Sequence, residues 1–134
     1  MYEVPKVLGR HAIYELLGGD PTLLDDEDFV KEALTQASEA TGATLLGLIT
    51  HKFEPQGVTG VALLSESHLS FHSWPEYGYA SVDAFTCGDH TDPEAACHSL
   101  KHAFKATHGT IRLLRREGPT FNHLPLPRPL GVAG

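Results

Sequence analysis

The sequence is short of several features that mark common classes of protein. It has only two cysteines, Cys87 and Cys97, and they do not form a CxxC arrangement, so we expect free thiols rather than a disulfide framework. Residues 1–10 lack the apolar segment of a signal peptide, and no apolar run reaches the roughly 20 residues of a membrane span. We therefore expect a cytoplasmic protein with no membrane partner.

Positive charge is also scarce. Lys and Arg together number 10 against 17 Asp and Glu, which gives a formal net charge of −7. Because nucleic acids are bound largely through cationic side chains, we do not expect a nucleic-acid partner. The length of 134 residues suits one domain with a core of its own.

Familiar catalytic motifs are missing as well. There is no GxSxG sequence, and residues 57–60 do not match a phosphate-binding loop. His98 and His102 lie one turn apart on a predicted helix, but no HExxH glutamate accompanies them, so we predict no metal site. Ser67 and His68 are adjacent on a predicted strand, whose neighbouring side chains point to opposite faces. This adjacency does not predict a hydrolase.

Hydrophobic periodicity and turn residues predict strand, helix, several strands, helix and strand, in that order. The predicted strands are 6–17, 43–53, 58–66, 67–74, 79–87 and 110–116, and the predicted helices are 27–41 and 92–107. The apolar faces of the two helices are predicted to be Phe29, Val30, Ala33, Leu34, Ala37 and Ala40, and Ala96, Leu100, Ala103 and Phe104. This order predicts an α+β two-layer sandwich, a mainly antiparallel sheet with two helices on one face.

Two of the predicted strands are apolar on both sides. The opposed sets are Leu45 and Ile49 against Leu46 and Leu48, and Val61 and Leu63 against Ala62 and Leu64. Since two helices cover only one face, we expect the other face to be buried in a homodimer. We assign residues 1–117 to a single domain and residues 118–134 to a proline-rich C-terminal extension.

Reactive side chains concentrate at residues 66–90. Alternation along the strand from Ser67 predicts that Leu69 and Phe71 point one way, while His68, Ser70, His72 and Trp74 point the other. On the next strand, Cys87 shares a face with Tyr79, Ser81, Asp83 and Phe85. Judged singly, Cys87 suits a small buried residue and His72 suits a hydrogen-bonded structural histidine. Periodicity alone leaves those readings open.

The segment from His51 to His90, HKFEPQGVTG…SESHLSFHSWPEYGYASVDAFTCGDH, resembles the small, pyruvoyl-dependent bacterial and archaeal S-adenosylmethionine decarboxylases. The similarity extends through LGRH near the N-terminus and both predicted helices, to about residue 116. It implies a proenzyme that cleaves itself between Glu66 and Ser67, giving a beta chain of residues 1–66 and an alpha chain of 67–134. Ser67 would become the pyruvoyl group, which forms a Schiff base with the substrate amine and acts as the electron sink.

The resemblance also implies roles for individual side chains. His72 matches the proton acceptor in processing, and Cys87 matches the proton donor in catalysis. Thr59 stands where the family has a serine hydroxyl that serves processing, which is a departure that keeps the hydroxyl and adds a methyl. In this family the site lies at the subunit interface, in agreement with the strands that are apolar on both sides.

Three further positions match substrate-binding residues of the family. Phe53 and Trp74 would contact adenine, and Glu76 would accept hydrogen bonds from the ribose hydroxyls. The implied product is the aminopropyl donor for spermidine synthesis. Two alternatives stay open: a pyruvoyl-dependent decarboxylase of ornithine or arginine, and an unprocessed paralogue that binds a nucleoside or regulates a partner. His68, His90 and Cys97 receive no role.

Overall fold

A computed structural model describes residues 7–118. The proline-rich extension lies outside the described residues except for Gly118, as does the start of the first predicted strand. The strands are β1 (Gly9–Leu17), β2 (Leu45–Lys52), β3 (Val58–Leu64), β4 (Ser67–Trp74), β5 (Tyr79–Cys87) and β6 (His108–Arg116). The helices are α1 (Pro21–Leu24), α2 (Glu27–Ala40) and α3 (Pro93–Ala103), and a short 3-10 turn covers Pro75–Tyr77.

The six strands form one sheet in the order β2-β3-β4-β5-β1-β6. Every neighbouring pair is antiparallel. The predicted α+β sandwich is therefore confirmed. Strands β3, β4 and β5 carry Thr59, Ser67, His72, Trp74 and Cys87. They occupy the middle of the sheet, where both edges of each strand are paired.

The helices pack on one face of the sheet because their apolar sides and one parity of the strands form a single core. Leu34 of α2, Leu100 of α3 and Phe71 of β4 are all buried in it. Asp26 and Asp92 cap α2 and α3 by accepting hydrogen bonds from main-chain N–H groups in the first turn. None of the helices within residues 7–118 has the length and apolar character needed to cross a membrane.

Several local predictions were wrong. No helix was predicted between residues 17 and 27, where Gly18, Gly19, Asp20 and Pro21 are typical turn residues, but Asp20 caps a short additional helix that begins at Pro21. An Asp-Pro pair is common both in turns and at the start of helices, so the sequence alone could not distinguish the two structures here. Helix α3 ends at Ala103 rather than near 107, since Lys105 adopts a positive φ of 54°. On α2, Ala40 is exposed, and Ser38 is buried in its place.

The edge strand β2 contains a register shift between Leu45 and Gly47. A bulge of this kind inserts one residue and reverses the alternation beyond it. Leu45 therefore packs on the core together with Leu48, and not on the same side as Ile49, which is 78% exposed. The prediction of which apolar residues share a face was wrong for this strand.

We call the side of the sheet away from the helices the open face; it carries Thr59, Val61, Leu63, His72 and Asp83. Val61 and Leu63 are 44% and 56% exposed, so apolar side chains of β3 do lie on both faces, as predicted. Exposed apolar patches of this kind commonly mark interfaces. The homodimer that we predicted from this pattern stays a prediction.

Candidate active site

The join between Glu66 and Ser67 lies in a tight β-hairpin. Leu64 pairs with Ser67, which leaves Ser65 and Glu66 as the turn between β3 and β4. Ser67 has a φ of 133°, a region that side chains other than glycine rarely adopt. Such a residue costs on the order of 1–3 kcal/mol and is typical of functional positions. The bond predicted to break is therefore next to a strained residue.

The carbonyl group of Glu66 is held by strand β5. Its oxygen accepts a hydrogen bond from the main-chain N–H of Cys87 at 2.9 Å. The register explains this contact, because Ser67 pairs with Thr86. A main-chain donor at this position stabilises negative charge on the oxygen if the carbonyl carbon is attacked.

The side chain of Glu66 also has partners. The hydroxyl of Ser65 donates to its Oε1 at 2.6 Å, and Nε2 of His90 lies 3.6 Å from the same oxygen. His90, for which no role was predicted, thus pairs with the carboxylate of the residue that would become the end of the first chain.

His68 contacts Ser67, contrary to the prediction that the two side chains point apart. The Ser67 hydroxyl lies 3.2 Å from Nδ1 of His68. The alternation rule holds for extended backbone, and the positive φ of Ser67 departs from it. On its other side, Nε2 of His68 is 3.3 Å from Oδ2 of Asp83.

Asp83 is the centre of this hydrogen-bond network. Its Oδ2 also lies 2.8 Å from Nε2 of His11, and its Oδ1 accepts from the Ser70 hydroxyl. Burial alone would raise the pKa of the Asp83 carboxyl, but the hydrogen bonds from Ser70, His11 and His68 together hold it below its ordinary value. Asp83 is therefore a carboxylate at neutral pH.

A second group of predicted residues gathers around His72. The Thr59 hydroxyl is hydrogen-bonded to Nδ1 of His72, from the paired position on β3. The rings of Trp74 and Phe53 lie 4.2 Å and 5.8 Å from the His72 ring, between centroids. Glu76 is exposed on the 3-10 turn that follows Trp74. An imidazole, a hydroxyl and two flat rings thus share one part of the open face.

The two groups are not brought together within the chain. Ser67 and His72 are five residues apart on β4, whose pairing with β5 is regular throughout. At the usual rise of a strand this separation is roughly 16 Å, which no side chain spans. Between the groups lies a cleft of about 400 Å³ on the open face, lined by Asp83, His72 and Tyr79 among others.

Comparison with known proteins identifies the family. The family model for S-adenosylmethionine decarboxylase matches residues 10–117. The chain belongs to this family. The S-adenosylmethionine decarboxylase proenzyme of Parasynechococcus marenigrum (strain WH8102) is 58% identical over 113 residues, which cover 84% of this chain and 88% of that protein. The proenzyme of Methanococcus maripaludis is 48% identical over 111 residues, or 83% and 91% of the two chains.

A solved structure agrees with the sequence matches. The adenosylmethionine decarboxylase of Aquifex aeolicus VF5 superposes with a TM-score of 0.78 at 32% identity, covering 85% of this chain and 94% of that chain. The bacterial and archaeal relatives confirm the resemblance on which the sequence-based interpretation rested. The two groups of side chains described above are therefore candidate parts of a decarboxylase site.

Asp83 and His11 had no predicted role, yet they belong to the hydrogen-bond network that reaches Ser67 through His68. The donor atoms of His11, His68 and Asp83 lie within 4.8 Å of one another. Their positions on β1, β4 and β5 follow from strand register, which spacing in the sequence does not give. His98, considered as a metal ligand from its spacing, is exposed on α3.

The two cysteines differ in environment. Cys87 is partly exposed beside the hairpin, whereas Cys97 is buried in the core, and both are free. Burial, with a smaller effect of the Glu94 charge, raises the pKa of the Cys97 thiol to about 12. Cys97 is therefore an apolar packing residue, and Cys87 is the thiol that solutes can approach.

Proposed function

We propose that the chain is a self-processing S-adenosylmethionine decarboxylase that cleaves its own bond between Glu66 and Ser67. Its product would be decarboxylated S-adenosylmethionine, the aminopropyl donor for spermidine synthesis, together with carbon dioxide. The observation that carries this proposal is the hairpin itself: Ser67 is strained, and the carbonyl before it accepts a hydrogen bond from Cys87. Family membership supplies the reaction class.

The first step of processing is attack by the Ser67 hydroxyl on the carbonyl carbon of Glu66. The main-chain N–H of Cys87 already donates a hydrogen bond to the Glu66 carbonyl oxygen, with 2.9 Å between nitrogen and oxygen. The same N–H stabilises the negative charge that develops on this oxygen during the attack. The amide becomes an ester, and the strained φ of Ser67 is free to relax. Both effects favour attack at this peptide bond.

The second step breaks the ester. His72 removes the α-proton of Ser67, and Glu66 leaves as a carboxylate. The remaining dehydroalanine tautomerises and is hydrolysed to a ketone and ammonia, leaving residues 1–66 and 67–134 as separate chains. Thr59 supplies the hydroxyl that the family's serine provides for processing. Its hydroxyl is hydrogen-bonded to Nδ1 of His72, so the extra methyl group does not prevent this hydrogen bond.

The residues around Ser67 fit a pyruvoyl group. When formed, the pyruvoyl group supplies the electron sink that the carbanion left by decarboxylation requires. Cys87 is partly exposed beside position 67, and its thiol donates a proton to the substrate carbon that has lost carbon dioxide. Cys97 cannot do so from the core.

Substrate binding falls to the group around His72. Phe53 is 39% exposed, and its ring together with that of Trp74 offers flat surfaces on which adenine stacks. The exposed carboxylate of Glu76 accepts hydrogen bonds from the ribose hydroxyls. Aromatic faces also favour a sulfonium cation. This set favours a nucleoside substrate over ornithine or arginine.

The separation of the two groups supports a homodimer of processed units. Because Ser67 and His72 cannot meet within one chain, the working site requires Ser67 of one subunit and His72 of the other. A two-fold pairing of open faces achieves this and also covers Val61 and Leu63, which are exposed in the single chain. We place the enzyme in the cytoplasm.

The substrate is tested by measuring carbon dioxide release from carboxyl-labelled S-adenosylmethionine, ornithine and arginine with the same preparation. We expect release from S-adenosylmethionine alone. Release from ornithine or arginine at a comparable rate would contradict the substrate assignment. Absence of release from all three by a cleaved protein would contradict the proposed activity, and a protein that stays uncleaved would favour the regulatory paralogue.

A further inference from the structure

The hydrogen-bond network beside Ser67 has the geometry of an activated nucleophile. Ser67 Oγ lies 3.2 Å from Nδ1 of His68, and Nε2 of the same ring lies 3.3 Å from Asp83. A hydroxyl, an imidazole and a carboxylate in this order are the arrangement by which a serine is deprotonated as it attacks.

The contacts determine the tautomer of His68. A carboxylate only accepts hydrogen bonds, so the Nε2 of His68 that faces Asp83 must carry the proton. In the neutral ring Nδ1 then has a free lone pair, and it accepts from the Ser67 hydroxyl. This is the tautomer that a base acting on Ser67 needs, and the carboxylate of Asp83 selects it.

The ring of His68 is also held in place by packing. Phe85 stacks on it with a centroid distance of 6.0 Å and an interplanar angle of 19°. The titratable groups that face His68 are Asp83 from β5 and His11 from β1, whose ring centroid is 6.3 Å away. Among residues 7–118, Ser67 is the remaining polar contact of the ring.

We propose that His68 is the catalytic base for the first step of self-processing and that Asp83 is the residue that positions it. The proton of Ser67 Oγ passes to Nδ1 of His68 as the oxygen bonds to the Glu66 carbonyl carbon. The carbon–nitrogen bond between Glu66 and Ser67 then breaks, and the nitrogen takes the same proton back from His68. The products are an ester and a free amine, so no other reactant is needed.

This proposal rests on the proposed function and divides the work between two histidines. His68 acts before the ester exists, and His72 acts on the ester. Loss of each histidine therefore stops the chain at a different covalent species. Hydroxylamine cleaves esters and leaves ordinary amides intact, so it distinguishes the two species.

The test compares His68→Gln, His72→Gln and wild type by denaturing mass spectrometry, before and after treatment with hydroxylamine. We expect His68→Gln to remain at full length, with cleavage slowed at least about 100-fold, and to resist hydroxylamine. We expect His72→Gln to remain at full length but to split between residues 66 and 67 in hydroxylamine. His98→Gln, the same change at an exposed position of α3, is the control and should be cleaved like wild type.

The outcomes separate this proposal from the proposed function. If wild type is cleaved and His68→Gln is cleaved at the same rate, the role of His68 is wrong while the proposed function stands. Ester accumulation in His68→Gln would place His68 after the first step and also overturn its role. If wild type is never cleaved, both proposals fail.

A second variant, Asp83→Asn, tests the proposal even if His68→Gln fails to fold. Asp83→Asn removes the negative charge beside His68, so protonation of the His68 ring becomes less favourable. In a plot of processing rate against pH, the fall in rate on the acid side should therefore move to lower pH. The plateau rate should also fall, because the amide no longer selects one tautomer. A lower rate with an unchanged pH midpoint would indicate a structural role for Asp83 and would overturn the proposal.

Metal binding by the same residues is the competing explanation, since His11, His68 and Asp83 could share a cation. Processing of the uncleaved wild-type precursor, made by cell-free synthesis with EDTA present from the start, decides between them. Under the base mechanism EDTA leaves the rate unchanged. A rate that falls with EDTA and is restored by zinc would overturn the proposal.

Discussion

Ser67 and His72 lie on the same strand, five residues apart, yet the processing that we propose requires them at one reacting centre. At the rise of a β-strand their separation is roughly 16 Å. The open face that carries both groups also carries exposed apolar residues such as Ile49 and Val61. We therefore infer that each site is completed by a second copy of the chain.

This arrangement predicts complementation between two inactive variants. Ser67→Ala cannot form the ester, and His72→Gln cannot break it, so neither should be cleaved alone. In a mixed dimer, Ser67 of the His72→Gln chain meets the intact His72 of the partner subunit. Co-expression with distinguishable tags should therefore yield cleavage of the His72→Gln chain, measured by mass spectrometry.

Two observations would contradict this arrangement. One is the absence of cleavage in isolated mixed dimers, and the other is a monomer in sedimentation of active wild type. Mixing Ser67→Ala with His98→Gln provides the control, since the latter chain needs no complementation.

Cys87→Ala should separate processing from turnover. The main-chain N–H of residue 87, which contacts the Glu66 carbonyl, survives the substitution, so cleavage should proceed. Without the thiol, reprotonation of the substrate carbon should slow turnover by at least about 100-fold. Steady-state kcat measures the change, with Cys97→Ala as the control. A Cys87→Ala enzyme of normal kcat would show that another group donates the proton.

The aromatic pair is predicted to act on substrate affinity. Phe53→Leu and Trp74→Leu each remove a ring near His72, and stacking of one base is worth about 1–3 kcal/mol. We expect KM for S-adenosylmethionine to rise roughly 5-fold or more. Tyr77→Leu, at a ring that is 76% exposed, is the matched control and should leave KM within about twofold. Equal KM values across the three variants would remove the stacking assignment.

Phe71 is predicted to be a main source of stability. Its side chain is 1% exposed and stacks on Phe104, with centroids 5.3 Å apart. Phe71→Ala leaves a cavity in the core and should lower the free energy of unfolding by about 3–5 kcal/mol, measured by urea denaturation. Tyr77→Ala should change it by less than about 0.5 kcal/mol. A small loss for Phe71→Ala would show that the core rearranges to fill the space.

Local pattern was sufficient to predict the faces of β4. Leu69 and Phe71 are buried, while His72 and Trp74 lie on the open face, as alternation requires. Resemblance to the family predicted one site that includes Ser67 and Cys87 as well as His72. Within the chain, Thr59, Phe53 and Trp74 do lie beside His72, whereas Ser67 lies at the other end of β4. Alternation failed on β2, where a bulge at Leu46 adds one residue and has no clear signature in the sequence.

The environment of Ser67 was beyond sequence reasoning for two physical reasons. Its positive φ brings its hydroxyl to His68, and nothing in the residue types predicts that conformation at a serine. Asp83 reaches the same histidine only through the register of β4 with β5. Recognition of a two-residue hairpin turn at Ser65 and Glu66 would have predicted that Leu64 pairs with Ser67 and Leu63 with His68. That register would have indicated that His68 lies beside the bond predicted to break.

The most direct test of the account is whether residues 66 and 67 are still joined in the wild-type protein. Denaturing mass spectrometry after incubation at neutral pH should find residues 1–66 and 67–134 as separate chains. The second chain should be lighter by one ammonia than the same chain beginning with serine, and should react with hydroxylamine at its new terminus. A protein that keeps its full mass, or a second chain that begins with unmodified Ser67, would contradict the account.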